Sequence, residues 1–320
     1  MDGFLNLHKP SGLTSHDCVI RVRKLLHIKR VGHAGTLDPA ATGVLPIALG
    51  RATRLLQFLT TDKVYEALIR FGYQTSTDDL EGEIIRQAPP QAITGLSLAQ
   101  VQAHSAHFLG KFSQIPPQYS AIQVDGQRLY HLARTGQTVE VQPRWVQVFD
   151  LQILDWIQGD YPELRVTIAC SAGTYIRSIA RDWGERVQTG ATLAQLIRTQ
   201  SCGLKLCDSL NLSELQTQIE LGQFQPIHPE TVLAHLPQVQ LTPQLAKPWC
   251  HGQPISINLV DILPINHELP LLPPTVRVHL HDRTFLGIGK IESENPEALA
   301  VWGQRIQLSL IPQVVFMPEP

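Results

Sequence analysis

Along this 320-residue chain the apolar positions change period repeatedly, and each change marks an expected element. Residues 4–8 alternate as a half-buried strand does, and Lys9-Pro10-Ser11-Gly12 ends the run. Val19, Ile20, Val22, Leu25 and Leu26 then recur at helical spacing, behind Thr14, Ser15 and Asp17, any of which can cap a helix. That leaves Arg21, Lys24 and their neighbours on its solvent side. Residues 44–59 read as a buried segment that is helical over its second half. Residues 63–72 alternate as a strand, with Val64, Ala67, Ile69 and Phe71 as core candidates. The polar, acidic stretch 75–83 reads as an exposed loop or lid.

Ser97 caps a helix expected to run to residue 107, Asp125-Gly126 signals a tight turn, and 129–135 reads as a short helix. Strand-like runs follow at 138–141, 144–157 and 164–170. Gly173 opens a helix expected over 174–186, residues 192–199 have mixed character, and Ser213 caps another short helix. Strands outnumber helices and rarely alternate singly with them, which favours an α+β fold over a doubly wound one. The texture changes near residue 240. Six prolines between 248 and 274 read as an irregular, linker-like segment. Short strands at 275–281, 285–291 and 298–310 then suggest a small β-rich domain, which divides the chain into 1–240 and 241–320.

Composition narrows the function classes. No apolar run approaches the roughly 18 residues of a membrane span, and residues 1–6 carry no basic stretch leading an apolar one. Five cysteines without a Cys-x-x-Cys pair make neither a disulfide framework nor a zinc ribbon, so the cytoplasm is the expected compartment. The net charge of −2 argues against indiscriminate coating of nucleic acid. Its distribution is uneven, however. Residues 1–61 hold eight Lys/Arg against three Asp, while the remainder carries a net −7. Nucleotide-phosphate loops, a hydrolase elbow and a His-x-x-x-His metal motif are all absent.

Positive charge therefore gathers around Gly32-His33-Ala34-Gly35-Thr36-Leu37-Asp38-Pro39-Ala40-Ala41-Thr42-Gly43-Val44-Leu45-Pro46. Its glycines and prolines make a tight, rigid bend. Asp38 is the only acid between Asp17 and Asp62. On pattern alone it suits an Asx-turn as well as chemistry.

The stretch closely resembles the signature of bacterial tRNA pseudouridine synthases that act on uridine 55 of the T-loop. Further blocks follow in that family's order. They are residues 6–15 from Asn6 to Ser15, Lys63-Val64-Tyr65-Glu66-Ala67, Pro116-Pro117-Gln118-Tyr119-Ser120-Ala121, and Gly173-Thr174-Tyr175-Ile176-Arg177-Ser178. The resemblance covers residues 4–215. It implies a mixed, largely antiparallel catalytic sheet, and the C-terminal part loosely resembles the family's PUA-like RNA-binding domain. It also implies an isomerisation that breaks the N1–C1′ bond and rejoins uracil through C5. Such a reaction needs no cofactor, metal or guide RNA, and a monomer suffices.

The resemblance assigns the nucleophile to Asp38, its ionic partner to Arg177, and base stacking with possible proton transfer to Tyr65. Leu196 falls in the base pocket, and His33 fills space beside the extruded nucleotide. Lys9, Arg21, Arg23, Lys24, Lys29 and Arg30 become candidate contacts to tRNA phosphates. A T-arm-gripping module without chemistry is the rival reading. It has use for the basic flank and His33 but none for Asp38 opposite Arg177.

Overall fold

A computed structural model of the chain describes residues 1–120, 123–124, 127–128, 141–258, 262–263, 275–293 and 307–317. Two sheets dominate it. In the first, strands β1 (Gly3–Lys9), β2 (Val31–His33), β3 (Thr42–Leu49), β4 (Lys63–Phe71), β7 (Gly110–Gln114), β10 (Arg144–Ile157), β11 (Glu163–Cys170), β12 (Ala191–Ser201) and β13 (Leu204–Lys205) assemble. The main path runs β1-β3-β12-β4-β11-β10-β7, with β2 on β3 and β13 on β12. The pairs are antiparallel except β12 with β3, where Ile197 faces Thr42 and Arg198 faces Gly43.

That parallel pair explains Gly43. At φ +105° its α-carbon rides directly on β12, and a Cβ would lie 2.2 Å from the Arg198 carbonyl oxygen. Only glycine permits the approach.

The first helix spans Ser15–Leu25 and begins with a full capping box between Thr14 and Asp17. Its apolar face (Cys18, Val19, Val22) buries against Leu5, Leu7, Leu45 and Ile47. Residues 44–59 are a buried strand followed, over the second half as expected, by a helical segment. Thr42–Leu49 pairs along β1, and only Gly50–Phe58 turns helical, as a 3-10 helix. On β4 the buried alternation is Tyr65, Ala67, Ile69 and Phe71, so Val64 lies on the opposite face from the other candidates. Residues 192–199 belong to β12, a central strand whose irregular pattern comes from bulges after Leu193 and Arg198.

The segment expected as an exposed lid is anchored instead. Strands β5 (Tyr73–Thr75) and β6 (Ile84–Gln87) pair at its base, Thr75 and Asp78 are buried, and the Leu193 amide donates to the Asp78 carbonyl. The helix Ile176–Arg186 packs Ile176, Ile179, Ala180 and Trp183 on the main core with Ile168 and Phe71. Strands β8 (Gln123–Val124) and β9 (Gln127–Arg128) pair with each other. The turn expected at 125–126, the helix at 129–135 and all but the last residue of the run 138–141 lie outside the described residues.

The second sheet contains β14 (Gln238–Leu241), β15 (Ile255–Asn258), β16 (Ile262–Leu263), β17 (Thr275–Leu280), β18 (Phe285–Ser293) and β19 (Gln307–Val315). The proline-rich stretch opens inside ordered structure: Pro243–Cys250 is a helix with buried Trp249, and β15 follows. Prolines 264, 270, 273 and 274 and the start of the 298–310 run fall outside the described residues. The two sheets share a core. Phe4, Val44 and Ala48 of the first, with Leu55 and Leu59 from the helical turn after β3, cluster with Phe285, Ile288 and Val314 of the second and with Phe316 just beyond it.

Candidate active site

The loop between β2 and β3 is held from three sides. Lys9, at the end of β1, is fully buried, and its Nζ donates to the carbonyls of Pro10 (2.9 Å), Pro39 (3.0 Å) and Ala41 (2.6 Å). An ammonium group has three donors, and here all are satisfied by backbone. Lys9 therefore braces the loop and is not available as a phosphate contact, which corrects the expectation from its charge. Ser15 accepts from the Leu37 amide and donates to the Leu37 carbonyl. From below, Arg198 donates through Nε to Val44 O (2.7 Å) and through Nη2 to Gly35 O (2.9 Å).

This bracing presents Asp38 to a pocket of about 280 Å³. Arg177, in the first turn of the helix Ile176–Arg186, is nearly buried. Its Nη2 lies 3.0 Å from Asp38 Oδ2 and also donates to Tyr119 O at 3.0 Å. Its Nη1 donates to Thr77 O at 3.2 Å and approaches Asp79 Oδ2 at 3.6 Å. One turn later Arg181 pairs with Asp78 at 3.0 Å and with Asp182 at 2.9 Å. Two arginines four residues apart on one helix face thus clamp the acidic segment. Asp78 is held at φ +61°, a left-handed conformation uncommon outside glycine.

The Asp38 side chain keeps 42% of its surface open toward the pocket, although protein surrounds it on the other sides. Loss of solvation pushes its carboxyl up, Arg177 pulls it down, and Asp79 pushes it up again. Tyr65 stands opposite on β4, directly across from Arg198 on β12. Burial pushes its hydroxyl up to about 12, with the Arg198 guanidinium pulling the other way. It is a neutral phenol at physiological pH. Leu196 completes the apolar wall together with Ile176.

Asp38, Tyr65, Arg177 and Leu196 thus line one pocket, as the motif order implied. His33 is not in its wall. It pairs with Ile47 on β3, and burial followed by the Arg198 charge keeps its ring neutral. Arg21, Arg23, Lys24, Lys29 and Arg30 are exposed, and among the described residues none forms an ion pair. Arg21 and Lys24 line a separate groove with Leu25, Leu212, Ser213 and Gln216.

Sequence reasoning missed Asp79, Lys63 and Arg198. Asp79 was absorbed into a run of acids, and Lys63 and Arg198 sat in strands with no local partner. The spacing of Arg177 and Arg181 beside the doublet Asp78-Asp79 was the one available signal. Among the described residues no helix is long and apolar enough to cross a membrane, and no cluster of His, Cys, Asp or Glu is placed to hold a metal.

The fold that carries this pocket has counterparts among solved structures. A solved Cbf5-Nop10-Gar1 complex contains a chain that superposes with a TM-score of 0.73, at 25% identity, over 99% of this chain and 85% of that one. The same fold recurs, at 24% identity and a TM-score of 0.71, in an H/ACA RNP bound to a substrate RNA containing 2′-deoxyuridine, over 99% and 87% of the two chains. The fold is that of the pseudouridine synthases. The sequence model for the TruB family pseudouridylate synthase N-terminal domain matches residues 23–176, and that for the pseudouridine synthase II TruB C-terminal region matches 237–298. The tRNA pseudouridine synthase B of Trichormus variabilis is 53% identical over 99% of both chains. That of Gloeothece citriformis is 50% identical over 98% of this chain and 97% of its own. The chain belongs to the TruB family of pseudouridylate synthases.

Proposed function

We propose that this enzyme isomerises uridine 55 in the T-loop of tRNA to pseudouridine, with Asp38 as the nucleophile. The observation that carries the reading is Asp38 held 3.0 Å from Arg177 in a pocket walled by Tyr65 and Leu196. A tRNA substrate is supported by the relatives named tRNA pseudouridine synthase B, and uridine 55 of the T-loop is the site that the signature's resemblance implies.

The target base is stacked and paired in folded RNA, so it must first be extruded, at a cost of a few kcal/mol. Tyr65 and Leu196 offer it an apolar slot. The Asp38 carboxylate then bonds an electron-poor carbon of the nucleoside, and the N1–C1′ bond breaks. The base turns, C5 bonds to C1′, the Asp38–carbon bond breaks with its electron pair returning to the carboxylate, C5 loses its proton and N1 gains one, so atoms and electrons balance without a redox partner. Arg177 orients the carboxylate and stabilises its charged form. Tyr65, protonated at working pH, serves as a wall and hydrogen-bonding group rather than as a phenolate base.

We assign 1–240 to catalysis and 241–320 to a PUA-like RNA-binding role, in a cytoplasmic monomer that uses no guide RNA. His33 and the exposed cations Arg21, Arg23, Lys24, Lys29 and Arg30 contact the T-arm.

The test incubates wild-type protein and Asp38→Asn with unmodified tRNA transcript, then maps pseudouridine by carbodiimide adduct and primer extension. A T-loop stop with wild type alone, with binding retained by the variant, is the expected result. No stop with wild type overturns the activity, and equal stops with both overturn Asp38.

A further inference from the structure

Two cations beside the pocket have no acid within ion-pair distance among the described residues. Lys63 opens β4 and lines the pocket, and its Nζ makes one hydrogen bond, to Thr61 O at 2.9 Å. Arg198 is fully buried, and its Nη1 has no hydrogen-bond partner, although the guanidinium acts on the neighbouring Tyr65 hydroxyl. Among the described residues neither forms an ion pair. Asp38 is engaged with Arg177, and the neighbouring Asp62 is exposed.

Both cations converge on Gly35. A Cβ there would lie 3.1 Å from Lys63 Cε and 3.3 Å from Arg198 Nη1, and φ is +78°. Lost solvation and repulsion from Arg198 together draw the Lys63 ammonium below its usual range. Crowding two like charges without a counter-ion is costly unless a ligand supplies the opposite charge. A side chain at Gly35 would press on both cations and displace them, so glycine there keeps Lys63 at the pocket edge with Arg198 behind it.

We infer that Gly35, Lys63 and Arg198 form a phosphate subsite for one backbone phosphodiester flanking the target uridine. The inference rests on the reading that the substrate is RNA. Lys63 donates to a non-bridging oxygen, and the buried Arg198 behind it supplies fixed positive potential. The contact holds the backbone of the extruded nucleotide while its base occupies the pocket, and so offsets part of the cost of flipping.

The test uses T-arm hairpins in which a neutral methylphosphonate replaces the phosphate on the 5′ or the 3′ side of the target uridine. With wild-type protein, one of the two substitutions should lower kcat/KM by roughly tenfold or more, chiefly through KM. Lys63→Gln should lose as much on the unmodified hairpin and nothing further on that methylphosphonate. Lys63→Arg should recover most of the loss. The slope of log affinity against log salt should shrink by about 0.7–0.9 in Lys63→Gln. Equal rates on all hairpins with wild type, or losses that multiply, overturn the subsite. Thermal melting checks that Lys63→Gln folds, and if it does not, the wild-type hairpins and Lys63→Arg decide. A wild type that makes no pseudouridine defeats the proposed activity instead, and the same cycle read as binding affinity still decides the subsite.

Discussion

Arg177 is shared between two carboxylates, at 3.0 Å from Asp38 and 3.6 Å from Asp79. The guanidinium fork reaches both while also donating to the carbonyls of Thr77 and Tyr119. Asp38 is therefore set by a segment distant in sequence, and the acid doublet at 78–79 is part of the site's electrostatics.

Replacing Arg177 with lysine keeps the charge and removes the fork. One ammonium group cannot span Asp38, Asp79 and two carbonyls. The expected result is a fall in kcat of roughly a hundredfold or more with a smaller change in KM, read by single-turnover kinetics on tRNA transcript.

Asp79 pushes the Asp38 carboxyl up. Asp79→Asn removes that push, so Asp38 ionises at lower pH and the acid limb of the rate profile moves down. A pH profile of single-turnover rates checks this. An unmoved limb would separate Asp79 from Asp38.

Asp78 has its carboxyl raised to about 6, first by burial, against the pull of Arg181 and Arg177. The folded state thus holds a proton that the unfolded chain releases near pH 3.8. Stability is greater below that value and declines as pH rises toward 6, by an amount on the order of 2–3 kcal/mol from this group. Urea melts of wild type and Asp78→Asn across pH 4–7 should show the wild-type slope flattened in the variant. Asn also tolerates the left-handed backbone at this position.

Lys9→Met leaves three loop carbonyls without their donor. The cost is about 3 kcal/mol of stability, together with a loss of kcat as the Asp38 loop loosens. The salt dependence of RNA binding should stay at the wild-type slope. A reduced slope would restore Lys9 as a phosphate contact.

Much of the fold was legible because local patterns agree with it. The Thr14–Asp17 capping box, the alternation along β4 and the run of β10 are visible in the chain. The failures share a physical cause. Residues 192–199 looked mixed because two bulges break the period of a central strand. Residues 75–83 looked exposed because acids usually are, whereas Asp78 and Asp79 are drawn inward by arginines about a hundred positions away. Lys9 looked like a surface cation because nothing near it in sequence shows three carbonyls closing around its ammonium. In each case a long-range partner overrides the local preference, and a partner far along the chain leaves no periodic trace.

The packing of Phe4, Val44 and Leu55 against Phe285, Ile288 and Phe316 sets the mechanical character of the molecule. Swinging the C-terminal sheet away would strip aromatic rings from the back of β3, the strand that leads out of the Asp38 loop. The two halves therefore behave as a fixed caliper whose jaws keep their spacing.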